Sequence, residues 1–115
     1  RSEFCPYVSL SFTYPVYPKK ALAREGEGCV MMEFTLSKEG NPVEEKILWS
    51  KAGSKKTKYL SDNIFDEPAL ESLRTYKYRP KHIDGVPVEV KAVKSTIVFR
   101  IEGFDKDTIP KECAG

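Results

Sequence analysis

The last regular stretch of the chain, residues 94–102, alternates between two kinds of side chain. Ile97, Phe99 and Ile101 fall on one face of an extended strand, because strand side chains repeat with a period of two. The stretch is rich in β-branched and aromatic residues and lacks Gly and Pro, which favours a half-buried strand. We expect it at the edge of a small sheet, where its unpaired N–H and C=O groups are available to an extended segment of a partner.

Two earlier strands are predicted as an antiparallel hairpin. The first covers residues 28–36, and its apolar side chains lie on one face. They are Val30, Met32, Phe34 and Leu36. Turn-forming residues fill positions 37–42, and the second strand covers residues 43–50.

The second strand of the hairpin has an imperfect alternation. Val43, Ile47 and Trp49 share one face, whereas Leu48 points to the other. A bulge near Pro42 explains the interruption, because one extra residue changes the face on which the following side chains lie.

One longer helix is predicted from Asp66 to about Tyr78. Asp66 is a preferred N-cap residue, and Pro68 is tolerated in the first turn. Apolar side chains recur at helical spacing and form one stripe. The stripe consists of Ala69, Leu70, Leu73 and Tyr76. We expect this stripe to cover one face of the sheet, and Pro80 to end the helix.

Shorter features precede and link these elements. Residues 7–13 are predicted to be extended, and residues 18–25 to form a helix of one or two turns. Residues 51–65 form a long connection that is rich in lysine and serine. We interpret its lysines as solvated side chains rather than as a docking patch for an acidic partner.

The order short helix, strand, strand, helix, strand defines the expected architecture. We expect an α+β fold in two layers, in which one main helix covers a three-stranded antiparallel sheet and a short helix precedes it. The main helix carries the chain back across the sheet, so the last strand, residues 86–102, pairs with the first. The second and last strands are then the two edges.

Composition and charge describe one ordinary domain. The 115 residues include 19 Lys and Arg against 17 Asp and Glu, for a net charge of +2. This balance argues against a nucleic-acid partner. No apolar run reaches the length of a membrane span. Because the chain opens at Arg1 without a methionine, we expect a fragment that lacks a targeting or anchoring segment.

The three cysteines, Cys5, Cys29 and Cys113, allow one disulfide and leave one thiol. They are either unrelated thiols in a reducing compartment or part of a covalent staple in an oxidising one. We favour a bond between Cys5 and Cys113, which would tie two tails together outside the regular elements. Cys29 competes for either partner.

The sequence predicts no catalytic residue, metal site or cofactor. A nucleophile needs a base and an orienting group, and the single histidine, His82, lies in a turn after Pro80. His82 and the cysteines lack the spacing of zinc ligands. Glu44 and Glu45 are neighbours on a strand, so their carboxylates point to opposite faces and do not form a catalytic pair.

Several short motifs occur in order between residues 17 and 102. They are Tyr17-Pro18, Glu27-Gly28-Cys29-Val30, Phe65-Asp66-Glu67-Pro68-Ala69-Leu70, Tyr76-Lys77-Tyr78-Arg79-Pro80, Gly85-Val86-Pro87-Val88 and Ile97-Val98-Phe99-Arg100-Ile101. They resemble the YP, EG.V, FD..AL, (W/Y)KYRP, G.PV and I.F.(I/L) blocks of the TonB C-terminal domain family. Each block alone is a weak signal, whereas their order and spacing together are specific.

The resemblance implies a function in the cell envelope. TonB proteins are anchored in the inner membrane and couple the proton gradient, harvested by ExbB and ExbD, to outer-membrane transporters. Their periplasmic C-terminal domain binds the TonB box, an extended segment at the N terminus of the transporter, which joins the sheet at its last strand. The alternative is a TonB- or TolA-like structural or signalling module of a cell-envelope protein with no transporter client.

By position, the resemblance assigns partner binding to the last strand and to a segment that flanks it. The assigned residues are Tyr17, Pro18, Lys94, Ser95, Thr96, Ile97, Val98, Phe99, Arg100 and Ile101. We expect residues 17–103 to form the domain, 1–16 an N-terminal extension and 104–115 a C-terminal tail. A free edge strand also favours a homodimer.

Overall fold

The computed structural model describes residues 9–54, 56, 60–101 and 113. Three long strands, four short ones and two helices follow one another along this part of the chain. In order, they are β1 (Ser9–Ser11), α1 (Lys19–Ala23), β2 (Gly26–Leu36), β3 (Pro42–Ser54), α2 (Asp66–Leu73), β4 (Lys77–Tyr78), β5 (Lys81–Ile83), β6 (Val86–Val88) and β7 (Val90–Phe99). Neither helix has the length and apolar character needed to cross a membrane.

The main sheet has three antiparallel strands in the order β3-β2-β7. A mixed fold with an antiparallel sheet is therefore confirmed. The expected arrangement of one sheet under one helix is incomplete, because two further two-stranded sheets are present, β1 with β4 and β5 with β6. Their strands are two or three residues long, which is too short to produce a recognisable alternation in the sequence.

The core lies between the main sheet and α2. On β2, the predicted apolar face is at most 2% exposed at Val30, Met32, Phe34 and Leu36. Phe65, which precedes α2, stacks on Phe99 of β7 with ring centroids 4.4 Å apart. Burying an apolar side chain of this size stabilises the fold by about 2 kcal/mol. The core therefore ties α2 to the strand at the edge of the sheet.

The opposite side of the main sheet, which we call the outer face, carries Cys29, Met31, Glu33, Lys46, Trp49, Lys51, Lys94, Thr96 and Val98. Leu48 is an extra residue at a bulge in β3. As a result, Ile47 lies opposite a core residue of β2 whereas Trp49 lies on the outer face. The expected common face of Ile47 and Trp49 is therefore wrong. A second bulge, near Pro42 as expected, includes Glu44, whose φ is 54°.

Helix α2 is shorter than the sequence predicted. It ends at Leu73, after which Lys77 and Tyr78 form β4 and pair with β1. Asp66 is not the N-cap residue: Phe65 holds that position without a side-chain hydrogen bond. Asp66 is the first helical residue, where a carboxylate suits the positive end of the helix. Burial nevertheless raises the pKa of the Asp66 carboxyl above its ordinary value.

Cys113 is bonded to Cys29, with Cα atoms 5.7 Å apart. The expected bond between Cys5 and Cys113 is thus corrected, and Cys5 itself lies outside the described residues. Cys29 is fully buried on the central strand β2. The bond therefore attaches residue 113 to the outer face of the sheet instead of joining two tails.

Candidate partner-binding edge

Strand β7 is an edge of the main sheet. Within the described residues it pairs with β2 on one side and with no strand on the other. It runs from Val90 to Phe99 and is shorter than the predicted strand of residues 86–102, because Val86–Val88 form β6 and pair with β5 instead. Arg100 and Ile101 follow the strand, and Glu102 lies outside the described residues. The expected position of this strand at the edge of the sheet agrees with the observed strand order.

The two faces of β7 differ in exposure as the alternation predicted. Ile97 and Phe99 are 6% and 2% exposed in the core, whereas Val98 is 42% exposed on the outer face. Lys94 and Thr96 share that exposed side. A segment of a partner can therefore contact the backbone edge and the outer-face side chains of β7, whereas the side chains of Ile97 and Phe99 are buried in the core.

A groove of about 350 Å³ lies beside the first half of β7. Its walls are formed by Tyr78 and residues 90–95. Ala92 has a φ of 59°, in the left-handed region that favours glycine, and the register with β2 shifts at this point. Such a bulge bends a strand and increases its twist. An alanine gives no sequence signal for this conformation, so the groove could not be predicted.

Tyr17 is held inside the fold rather than displayed at the edge. Its hydroxyl donates a hydrogen bond to the carbonyl of Gly26, and its ring packs edge-on against Phe65 and Phe99. Burial, and secondarily the charge of Glu27, raises the pKa of Tyr17 well above its ordinary value. Tyr17 therefore supports the C-terminal end of β7 from the core side.

Pro18 occupies the N-cap position of α1, and its carbonyl accepts a hydrogen bond from the N–H of Leu22 at 3.0 Å. A proline just before the first helical turn is compatible with its fixed φ. The structure therefore brings Tyr17 into contact with β7 through Phe99 and gives Pro18 a position at the start of the adjoining helix.

A buried carboxylate fixes the chain where β7 ends. The N–H of Ile101 donates to Oε2 of Glu27 at 2.6 Å, and Glu27 is fully buried. Hydrogen bonds to an ionised acceptor are stronger than those between neutral groups. In the sequence, Glu27 is recognisable only as part of a motif, because nothing in its neighbourhood on the chain indicates this distant partner.

A row of three charged side chains crosses the outer face. The Nζ atom of Lys46 lies 3.6 Å from Oε2 of Glu33, and the Nζ atom of Lys94 lies 3.9 Å from Oε1 of the same carboxylate. The strand register places the three residues side by side on β3, β2 and β7. Lys94 is the end of the row at the open edge, and its side chain is 58% exposed.

The chain preceding α1 packs against α2 and β4. The N–H of Thr13 donates to Oγ1 of Thr75 at 2.8 Å, and the hydroxyl of Ser72 donates to the carbonyl of Thr13 at 2.7 Å. The ring of Phe12 stacks on that of Tyr76 with centroids 5.0 Å apart. These described residues of the expected N-terminal extension are therefore in contact with the rest of the fold.

The described residues include no group of three or more His, Cys, Asp or Glu side chains arranged to hold a metal ion. His82 is an exposed residue of β5 that lies opposite Pro87 of β6. The edge can offer a partner backbone hydrogen bonds, together with contacts to lysine, threonine and valine side chains.

Fold and site together define a small α+β domain with an accessible sheet edge, a class that includes domains which accept extended peptide segments. The chain belongs to the family of C-terminal domains of Gram-negative bacterial TonB proteins, whose family model matches residues 13–101. The predicted family is thereby confirmed.

Sequence and structural relatives agree with this assignment. The chain is 35% identical over 89 residues to Protein TonB of Vibrio cholerae, covering 77% of this chain and 32% of that protein. The solution structure of the Pseudomonas aeruginosa TonB C-terminal domain has the same fold, with a TM-score of 0.62 and 24% identity over 90% of this chain and 94% of that one. The TonB2 protein of Vibrio anguillarum matches with a TM-score of 0.50 and 32% identity, over 76% and 74% of the two chains.

Proposed function

We propose that this chain is the periplasmic domain of a TonB-type energy transducer and that β7 binds the TonB box of outer-membrane transporters by strand addition. The observation that carries the proposal is the open edge of β7, which pairs with β2 alone among the described residues. A row of free backbone groups gives affinity to such a complex, and the neighbouring side chains give specificity. Anchoring in the inner membrane and coupling to ExbB and ExbD belong to the same proposal, since the chain spans only 32% of its Vibrio cholerae relative.

The handedness of the fold indicates which amides of β7 are free. Strands β3 and β7 both run antiparallel to β2 and are connected through α2. Such a connection between parallel strands is right-handed in nearly all proteins. The right-handed connection fixes on which side of β2 the strand β7 lies when the sheet is viewed from the core. Because the residues have the L-configuration, those β7 residues whose side chains face the core then direct their backbone N–H and C=O groups away from β2. The free groups then belong to Val93, Ser95, Ile97 and Phe99.

The two bulges beside Phe34 and Thr35 support this assignment. Phe34 lies opposite the extra residue of β3, whereas Thr35 lies opposite the extra residue of β7. Neighbouring residues of a central strand direct their backbone groups to opposite sides, so Phe34 bonds towards β3 and Thr35 towards β7. Outer-face residues of β7, such as Lys94, then bond to β2.

The remaining assigned residues have supporting roles in this proposal. Ile97 and Phe99 contribute backbone groups while their side chains anchor the strand in the core. Tyr17 braces the end of β7, and Pro18 starts the helix that follows Tyr17. A partner strand that is hydrogen-bonded to β7 would pass a pulling force through β2 into the whole sheet, because β2 pairs with both edge strands.

The test compares two proline variants on the same strand. Ser95→Pro removes an N–H that faces the open edge, whereas Lys94→Pro removes one that bonds to β2. Proline is tolerated where the lost N–H points away from the sheet, and is disruptive where it removes a ladder hydrogen bond. We expect Ser95→Pro to keep its melting temperature and to lose binding to synthetic TonB-box peptides, measured by titration calorimetry. Lys94→Pro should instead lose its fold.

Ser95→Ala is the matched control, because it removes the hydroxyl and keeps the N–H. It should bind as the original chain does. A folded Ser95→Pro variant with undiminished affinity would contradict strand addition at β7. A chain that binds no TonB-box peptide at all would instead favour a cell-envelope module without a transporter client.

A further inference from the structure

The charged row on the outer face is incomplete at the open edge. Glu33 lies between Lys46 and Lys94, so one carboxylate serves two ammonium groups. The signs alternate along the row from β3 through β2 to β7, and the row ends in a cation where the sheet ends. A strand added to β7 would place its own side chain in the next position of this row.

The geometry leaves Lys94 available to such a side chain. Its Nζ atom lies 3.9 Å from Glu33, at the outer limit of an ion pair, while Lys46 lies closer at 3.6 Å. The Lys94 side chain is also 58% exposed. Directly facing residues on neighbouring strands interact when their charges are opposite and are destabilising when they are alike.

We propose that Lys94 selects partner strands that carry an aspartate or glutamate beside it, so that the charged row continues into the partner. This inference rests on the proposed strand addition at β7 and specifies the chemistry of the segment that is bound. The alternation Lys-Glu-Lys then becomes Lys-Glu-Lys-acid. A partner with lysine or arginine in that position is disfavoured, because it would face Lys94 with no carboxylate between them.

The next rows of the outer face describe the positions that follow the acidic one. Thr96 is in line with Met31 and Trp49, and Val98 is in line with Cys29. Apart from Lys51, which continues the second row on β3 beyond Cys29, these rows consist of apolar and small side chains, and Val98 is 42% exposed at the edge. Because strand side chains return to the same face every second residue, the preferred segment has an acidic residue followed, at alternate positions in either direction, by β-branched or apolar residues.

A random peptide library displayed on phage tests this inference without a known client. We expect the original chain to enrich extended peptides with Asp or Glu at one fixed position over those with Lys or Arg there. Lys94→Glu should reverse the preference at that position. For individual peptides, replacing the acid by its neutral amide should weaken binding by about two- to fivefold at low salt, the range of exposed ion pairs, and by less at high salt.

Three further variants separate recognition of charge from an effect on the fold. Glu33→Gln removes the carboxylate that pairs with Lys94 within the domain, so the preference for an acidic residue in the partner should become stronger. Lys94→Gln removes the cation at the β7 edge and should abolish the preference. Lys51→Gln removes the same positive charge from the outer face on β3, away from the β7 edge, and should leave the preference unchanged. A purely structural role for Lys94 would not produce changes of opposite sign in the Lys94→Gln and Glu33→Gln variants.

The possible results distinguish the proposed role of Lys94 from the proposed strand addition at β7 on which it rests. Enrichment of acidic strands that is reversed by Lys94→Glu supports both. Enriched strands that lack an acid preference, or keep it in Lys94→Glu, overturn the role of Lys94 while strand addition stands. If the original chain enriches nothing beyond what a folded Ser95→Pro variant enriches, strand addition fails and the role of Lys94 fails with it.

Discussion

The rings of Tyr17 and Phe99 meet edge to face, with centroids 5.8 Å apart and planes inclined by 76°. Tyr17 lies just before α1, and Phe99 is the last residue of β7, so this contact joins the segment before α1 to the open edge of the sheet. The Tyr17 hydroxyl also donates to the carbonyl of Gly26 at the beginning of β2. A tyrosine at this position therefore holds together three segments that are distant in the sequence.

The first prediction concerns the proton of Tyr17. Its pKa is raised from an ordinary 10.0 by burial and by the charge of Glu27. The folded state thus keeps this proton to higher pH than the unfolded state does. The resulting contribution to stability is complete below about pH 10 and is lost as the pH rises towards the folded-state pKa.

Tyr17→Phe removes the titrating group and supplies the control. At neutral pH we expect Tyr17→Phe to be less stable by about 1 kcal/mol, the usual contribution of one hydrogen bond. This difference should shrink as the pH rises above about 10, because only the original chain loses stability through Tyr17. Denaturant unfolding of both proteins between about pH 8 and about pH 11 measures it. A difference that stays constant over this range would contradict the assigned environment of Tyr17.

The second prediction concerns the packing of α2. Leu73 is fully buried, whereas Leu22 on α1 is 51% exposed. Leu73→Asp would bury an unpaired charge and is expected to destabilise the domain by about 4 kcal/mol or more, enough to unfold it. Leu22→Asp, the same chemical change at an exposed helical site, should alter stability by less than about 0.5 kcal/mol. Circular dichroism melting curves compare the two, and an unchanged curve for Leu73→Asp would refute this placement of the helix.

Long elements with a clear period could be predicted from the sequence. Val30 to Leu36 alternate because β2 has the core on one side, and Ile97 and Phe99 alternate with Val98 for the same reason. Leu70 and Leu73 mark α2 at helical spacing. In each case the burial of one face left a repeating pattern, and the edge position of β7 followed from the order of the elements.

The parts that could not be predicted depend on contacts between distant residues. Lys77 and Tyr78 favoured a helix locally but form β4, because β1 provides a strand partner. Nothing in the sequence around Ala92 indicates its positive φ, so neither the bulge nor the groove beside it could be predicted. Cys113 had two partners that spacing could not separate, and the fold brings it to Cys29.

The third prediction explains a motif glycine. A Cβ atom at Gly28 would overlap the carbonyl oxygen of Lys51 on the neighbouring strand, whereas one at Gly85 would meet nothing within 4 Å. Gly85 has a φ of 80°, so its replacement is strained by conformation alone. We expect Gly85→Ala to cost about 1 kcal/mol and Gly28→Ala about 2 kcal/mol or more, because backbone must move. Thermal unfolding of both variants measures the difference. Equal stabilities would contradict the prediction and would mean that the backbone of β3 moves away from residue 28 at little cost.

The fourth prediction concerns the disulfide between Cys29 and Cys113, which are separated by 84 positions. Closing a loop of this length restricts the unfolded chain, so Cys113→Ser should lower the free energy of unfolding by about 4 kcal/mol. Cys5→Ser should leave stability unchanged, because the bond does not involve Cys5.

Thiol titration of the denatured, unreduced protein should find one free thiol in the original chain and none in Cys5→Ser. Three free thiols in protein purified from an oxidising compartment would show that the bond does not form, and equal stability of the Cys113→Ser and Cys5→Ser variants would show that it does not stabilise the fold.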